Sequence, residues 1–133
     1  MNTNYFLNVV AGNVFKTKTS PAIPTSYYLG LSRSEPTLTG TNVSEPGASA
    51  GYARVKLTGL SAPTNGVVTN SSAIDFTEST AGWGTITHFV IYDAATGGNL
   101  LMYGKLTENR TVESATVMTI KANTLTLSAI NPS

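Results

Sequence analysis

The sequence contains no cysteine, which excludes disulfides, thiolate metal sites and a cysteine nucleophile. It has no run of about 18 apolar residues, so we expect no membrane-spanning segment. The first residues lack a basic region followed by an apolar core and a cleavage site, so we expect no signal peptide. These absences predict a domain that folds without covalent staples and has no membrane partner.

Charged residues are scarce as well, at 11% of the 133 residues with a net charge of +1. Such a balance leaves no electrostatic footprint for nucleic acid, so we expect no nucleic-acid partner. Polarity comes instead from threonine, serine and asparagine, whose uncharged groups are easily desolvated and suit contact with neighbouring subunits. A second interpretation stays open, because threonine also packs well on the strands of any β-rich chain.

The length predicts a single domain over residues 1–133, with an N-terminal helix and linker in residues 1–20. The helix is expected over residues 2–16, capped by Asn2 or Thr3 and ended before Pro21. Two apolar rows at a spacing of four make a broad face: Phe6, Val10 and Val14, and Leu7, Ala11 and Phe15. A helix this short must pack on its own sheet or on a neighbouring subunit.

After the helix the pattern changes to a period of two residues, which is typical of β-strands. Turn residues at Thr96, Gly97 and Gly98 predict one hairpin, and Asn123 predicts a second. The predicted strands are residues 26–33, 52–58, 67–69, 73–76, 85–92, 99–106, 117–122 and 125–130. The fold class is therefore mainly β, an antiparallel β-sandwich over residues 26–130, jelly-roll-like or Ig-like, with one N-terminal α-helix. Residues 85–92 are apolar on both faces, which predicts a central strand covered on both sides.

The side chains that carry catalysis are few in this sequence. His88 is the only histidine, and no Gly-x-Ser-x-Gly elbow supplies a nucleophile for it. It is expected to be a buried, hydrogen-bonded strand residue. Turn and cap roles account for the seven acidic residues without chemistry, and no calcium loop or phosphate-binding glycine motif is present. We therefore predict no enzymatic activity, no cofactor and no metal site.

Two features remain as candidates for partner contact. The polar segment of residues 34–51, which carries Glu35 and Glu45, is long for a connection inside a compact domain, and such loops are usually functional. Trp83, the only tryptophan, lies between Gly82 and Gly84. An exposed Trp83 could stack on a sugar or bind a partner, whereas the favoured interpretation is that it plugs the end of the sandwich.

Several segments together resemble a family of small tailed-bacteriophage virion proteins usually labelled phage tail fibre proteins. The matching segments keep the order and spacing of that family from residue 27 onwards, and they are YYLGLSRSEP (27–36), EPGASAGYARVKL (45–57), SSAIDF (71–76), GWGTITHFVIYDAATGGNLLMYG (82–104) and TENRTV (107–112). The long segment at 82–104 is specific, whereas YLGLS alone would be weak. Met102 stands where the family favours an aromatic residue, which bears on packing only.

The resemblance implies a non-enzymatic structural protein of a phage virion. The primary hypothesis is a tail- or fibre-associated surface component that forms a homo-oligomer, such as a trimer, and contacts other virion proteins. Two alternatives are a capsid decoration or cement protein and a module that binds a host-surface glycan. The predicted partner-contact residues are Phe6, Val10, Val14, Glu35, Glu45 and Trp83.

Overall fold

The computed structural model describes residues 1–128, in which one α-helix precedes eight β-strands. The elements are α1 (Asn4–Val14), β1 (Tyr28–Ser32), β2 (Val55–Lys56), β3 (Val67–Thr69), β4 (Ile74–Asp75), β5 (Gly84–Tyr92), β6 (Leu100–Val112), β7 (Thr119–Ile120) and β8 (Thr126–Ser128), with a 3₁₀ turn at Ala48–Ala50. The predicted mainly β class with one N-terminal helix is confirmed. Within the described residues, no helix is long and apolar enough to span a membrane.

The strands form two layers around one apolar core. One layer is an antiparallel sheet in the order β2-β1-β5-β6, and the other consists of the two-stranded ladders β3-β8 and β4-β7. Leu29, Ile91 and Leu101 from the sheet pack in one cluster with Ile74 and Leu127 from the ladders. Alternate residues of the sheet strands therefore face the ladders, which makes the arrangement sandwich-like.

The second half of the chain is one long, interrupted hairpin. Its tip is the β5–β6 pair, with Tyr92 opposite Leu100, and the β4–β7 and β3–β8 ladders follow outwards along the same two arms. The predicted hairpin at Thr96, Gly97 and Gly98 is confirmed, and β6 extends well beyond its predicted end. Nested pairing of this kind is that of a long hairpin rolled over on itself, which favours the jelly-roll-like alternative over the Ig-like one.

The second predicted hairpin, around Asn123, is wrong. β7 and β8 lie on the same arm of the long hairpin, so each pairs with a strand of the opposite arm rather than with the other. Asn123 does adopt a left-handed conformation, with φ of 63°. However, the buried Asn70 binds this bend, donating to the Lys121 carbonyl (2.9 Å) and accepting from the Leu125 amide (2.9 Å). The chain is thus bent but not reversed; the end of the predicted strand 125–130, at residues 129 and 130, lies outside the described residues.

The first three residues extend the sheet before the helix begins. The Thr3 amide donates to the Leu101 carbonyl (2.9 Å) and the Tyr103 amide donates to the Met1 carbonyl (2.9 Å), so the N-terminus covers part of the edge of β6. The Thr3 hydroxyl accepts from the Phe6 amide (3.3 Å) and donates to the Leu100 carbonyl (2.7 Å). The predicted cap at Thr3 is confirmed, and this cap also joins the helix to β6.

The most buried row of the helix differs from the two apolar rows of its sequence, although Phe6 from one of those rows also contacts the core. Val9 and Gly12 are its buried residues, and Tyr5 and Phe6 contact the main core from partly buried positions. Tyr5, Val9 and Gly12 follow a spacing of four and three residues, so they share one face. Because this row contains a tyrosine and a glycine, the spacing of the strongly apolar residues does not reveal it.

The loop of residues 34–51 lies on the outer face of the sheet. Val43 packs against Val90, Tyr92 and Leu100, and the Leu38 carbonyl accepts from the Asn4 amide (2.9 Å). Because the core covers the opposite face, β5 is covered on both sides, as its sequence predicted. The loop is therefore part of the packed structure.

Candidate interaction surfaces

The C-terminal end of helix α1 presents apolar side chains to solvent. Val14 is 64% exposed and Phe15 is 78% exposed, although both follow the apolar pattern of the helix. The Asn13 side chain donates to the Pro21 carbonyl (2.9 Å), which holds the returning chain against the helix. Ile23, two residues further on, is 59% exposed. We call Val14, Phe15 and Ile23 the helix-end patch.

The six predicted partner-contact residues have very different exposures. Val14 lies in the helix-end patch, whereas Phe6 and Val10 are partly buried. The Glu35 side chain is 76% exposed, and the Glu45 side chain is only 20% exposed. Trp83 is fully buried. Partner contact by these residues stays a prediction, and only Val14 and Glu35 lie largely in solvent.

Glu45 forms a buried ion pair that connects three segments of the chain. Its carboxylate accepts from Arg54 Nη2 (2.7 Å) and Arg54 Nε (3.0 Å), in the bidentate geometry of a strong pair. The Tyr52 hydroxyl donates to the same carboxylate (2.5 Å) and accepts from the Leu31 amide (3.0 Å). Burial raises the pKa of the Tyr52 phenol, and the hydrogen bond to Glu45 raises it further. The loop of residues 34–51 is therefore fastened to the sheet by charge.

Arg54 also fixes the tip of the long hairpin. Its Nη1 donates to the carbonyls of Ala94 and Gly97, both at 2.8 Å, and its guanidinium lies 3.6 Å from the centroid of the Tyr92 ring. Within the turn, Asp93 accepts from the Asn99 amide (2.7 Å). Residues 95–99 are exposed, so the tip is a surface feature held from below by Arg54.

His88 is buried, as its strand position predicted. Its Nδ1 lies 2.7 Å from the Thr87 hydroxyl, and its Nε2 lies 3.7 Å from Glu35 Oε2. Burial lowers the pKa of the imidazole, and the Glu35 carboxylate opposes this effect only in part. The 3.7 Å separation between His88 and Glu35 is longer than a hydrogen bond.

Trp83 closes one end of the sandwich, which confirms the favoured interpretation of this residue. Its indole Nε1 donates to the Ala50 carbonyl (2.9 Å), and its ring meets the Tyr52 ring edge to face at 5.4 Å. Gly84 follows with φ of 79°, a conformation that L side chains rarely adopt. The ring is enclosed, so the alternative of an exposed Trp83 stacking on a sugar does not fit its position.

A surface cleft of about 310 Å³ was not foreseen from the sequence. It lies between the middle of β6 and the segment that contains β7, and its lining includes Phe89, Lys105, Arg110 and Lys121. No motif marks these residues, because they come from both arms of the long hairpin. Among residues 1–128, no three His, Asp or Glu side chains come together as a metal site would require.

A comparison with known protein families identifies the family of this chain. The family model of the podophage GP4 fiber I protein gp80 matches residues 2–128. The chain belongs to this family of podophage fibre proteins. None of the curated proteins matches the chain significantly.

Membership in the fibre family confirms the resemblance that the segments between residues 27 and 112 carried. It supports a structural role in a phage tail or fibre and implies a place in the virion. The family match covers helix α1 as well as the sandwich, so the helix-end patch is part of the matched region.

Proposed function

We propose that the chain is a non-enzymatic structural component of a phage fibre that assembles as a homo-oligomer through its helix-end patch. The observation that carries the proposal is the exposure of Val14 and Phe15 at the end of a helix that is otherwise fastened to the sheet. Large apolar side chains that are neighbours on a surface are more typical of protein contacts than single exposed ones.

A second copy of the chain is the occupant that its charge favours. Only 11% of the residues are charged and the net charge is +1, so two copies repel each other weakly. Burying a side chain such as Phe15 stabilises a contact by about 2 kcal/mol. A two-fold symmetric contact doubles this contribution, because the same patch is then used twice.

Light scattering after size-exclusion chromatography tests the oligomer. We expect a mass that is a multiple of 13.9 kDa, and we expect the double variant Val14→Ser/Phe15→Ser to be monomeric. Val117→Ser is the matched control, since Val117 is also exposed but belongs to another part of the surface. A wild-type chain that stays monomeric at high concentration contradicts the proposal. If the double variant still forms the oligomer, the contact between copies does not use the helix-end patch.

Location on the particle is the second part of the proposal. The family description names a fibre protein, which favours the tail over the alternative of a capsid decoration protein. An engineered cysteine gives this chain a single site for a gold label, because it has no cysteine of its own, and particles with the wild-type chain control for labelling of other virion proteins. Thr96→Cys at the exposed hairpin tip suits the label. Gold at the tail supports the proposal, and gold over the head contradicts it.

A further inference from the structure

The wall of the cleft is formed by an irregularity in the central hairpin. Ile86 pairs with Arg110 and His88 pairs with Lys105, so one residue of β5 lies opposite four residues of β6. The segment 106–109 thus has three residues more than β5 can pair with and bulges away from it, and the wall that includes Met118 and Leu125 lies across the resulting gap. Bulges of this kind re-aim side chains and are common beside functional sites.

An aromatic ring lines the cleft and needs a glycine beside it. Phe89 lies opposite Gly104 across the β5–β6 ladder, and the ring is half-buried. A Cβ atom at Gly104 would lie 2.5 Å from Cε1 and 2.6 Å from Cζ of this ring. Glycine at position 104 therefore lets the Phe89 ring lie flat across β6, where it forms part of the cleft lining.

The charges around the cleft are concentrated and unpaired. Lys105, Arg110 and Lys121 line it together with a single acidic residue, Glu108. All four are exposed, and none of their side chains has a hydrogen bond or ion pair within residues 1–128. Three of the eight basic residues of a weakly charged chain thus surround one cavity. The other arginines, Arg33 and Arg54, are held by internal hydrogen bonds.

We propose that this cleft binds an acidic saccharide. Cations on the rim match a carboxylate or sulfate group, the Phe89 ring offers a surface for the apolar face of a sugar ring, and hydroxyls suit sugar hydroxyls. The hydroxyls belong to Thr107, Thr119 and Thr124. Those of Thr119 and Thr124 donate to Asp75 Oδ1 (2.6 Å) and to the Lys121 carbonyl (2.6 Å), so they face a ligand as acceptors. An acidic peptide would also satisfy the cations, but its Asp and Glu side chains have no ring face to lie on Phe89.

Saccharide binding by the cleft is independent of assembly through the helix-end patch. The helix-end patch is formed by Val14, Phe15 and Ile23, none of which lines the cleft. Substitutions in the cleft are therefore expected to leave the oligomer mass unchanged. The oligomer mass and saccharide binding can therefore be tested separately, and either proposal can fail without the other.

Isothermal titration of the whole chain with an oligogalacturonate tests the site. We expect binding that weakens as salt rises from about 0.05 M to about 0.5 M, since screening reduces the attraction between exposed charges. A neutral maltooligosaccharide and an oligoglutamate of similar charge are the two comparisons. Binding of the oligogalacturonate alone supports the proposal. No binding of it, or equal binding of the oligoglutamate, overturns it.

Charge removal inside and outside the cleft locates the site. Lys105→Ala/Lys121→Ala is expected to weaken oligogalacturonate binding about tenfold or more, because two charge-assisted contacts are lost. Lys18→Ala/Lys56→Ala removes the same charge from exposed positions outside the cleft and is expected to change binding less than about twofold. Equal weakening by the two double variants would contradict a site in the cleft. Both pairs are exposed, so the fold tolerates them.

Discussion

Replacing Arg54 with methionine should unfold the chain at much lower denaturant, because the guanidinium joins three segments. The change leaves the Glu45 carboxylate, 20% exposed, without its cation, while the lost Arg54 side chain was itself only 7% exposed. Breaking a buried pair by removing one partner costs about 3 kcal/mol at the lower end of the known range, which suits the partial exposure of Glu45. The loss of the contact with Tyr92 adds about 0.5 to 1 kcal/mol. We therefore expect the free energy of unfolding to fall by about 3 to 4 kcal/mol.

Urea unfolding followed by tryptophan fluorescence measures this change, since the single Trp83 lies in the core. Arg110→Met is the matched control, because the Arg110 side chain is exposed and makes no hydrogen bond within residues 1–128; its effect should stay within about 0.5 kcal/mol. A cycle with Glu45→Gln should show that the two single losses exceed the double loss by about 1 to 3 kcal/mol. If Arg54→Met loses less than about 1 kcal/mol, the pair does not fasten the loop and the reasoning fails.

Three further predictions concern the packing of the helix and the sheet. Thr3→Ala should lower the free energy of unfolding by about 1 to 2 kcal/mol, since it removes both the helix cap and the bond to β6. Thr3→Ser keeps a hydroxyl at this position, so it should retain most of the wild-type stability in the same urea assay. Gly104→Ala should destabilise by about 1 to 3 kcal/mol through its clash with Phe89, and adding Phe89→Leu should recover part of the loss; no recovery would contradict the clash. Because burial lowers the pKa of His88 in the folded state, the unfolded chain binds the proton more readily, and stability should fall as the pH drops from about 7 to about 5. His88→Gln should reduce this slope, and an unchanged slope would assign it to other groups.

Local sequence patterns were sufficient to predict helix α1 and the β5–β6 hairpin. The apolar rows and the cap at Thr3 predicted helix α1, and the apolar segment with its Gly97 and Gly98 turn predicted the β5–β6 hairpin. These signals concern residues close in the chain, so each is complete without knowledge of the fold. The family resemblance of residues 82–104 also depended on this continuous segment.

Local patterns did not predict three features that depend on residues far apart in the chain. Asn123 carries a valid turn signal, but Asn70 from the opposite arm binds the bend and the chain does not reverse there. The sequence placed Glu45 in a loop and gave no sign of its ion pair with Arg54, which lies beyond that loop. The cleft was missed because its basic residues, such as Lys105 and Lys121, lie on different strands or turns.

The sequence by itself determined the class of this protein: a weakly charged, cysteine-free β-chain with one N-terminal helix and a fibre-family signature. Those properties follow from composition and from patterns within single segments. Only the tertiary structure decided which strand pairs with which, which charges are neutralised inside, and which are left around the cleft. The physical reason is that strand pairing and ion pairing join residues far apart in the chain, and their partners are chosen by packing of the whole sandwich.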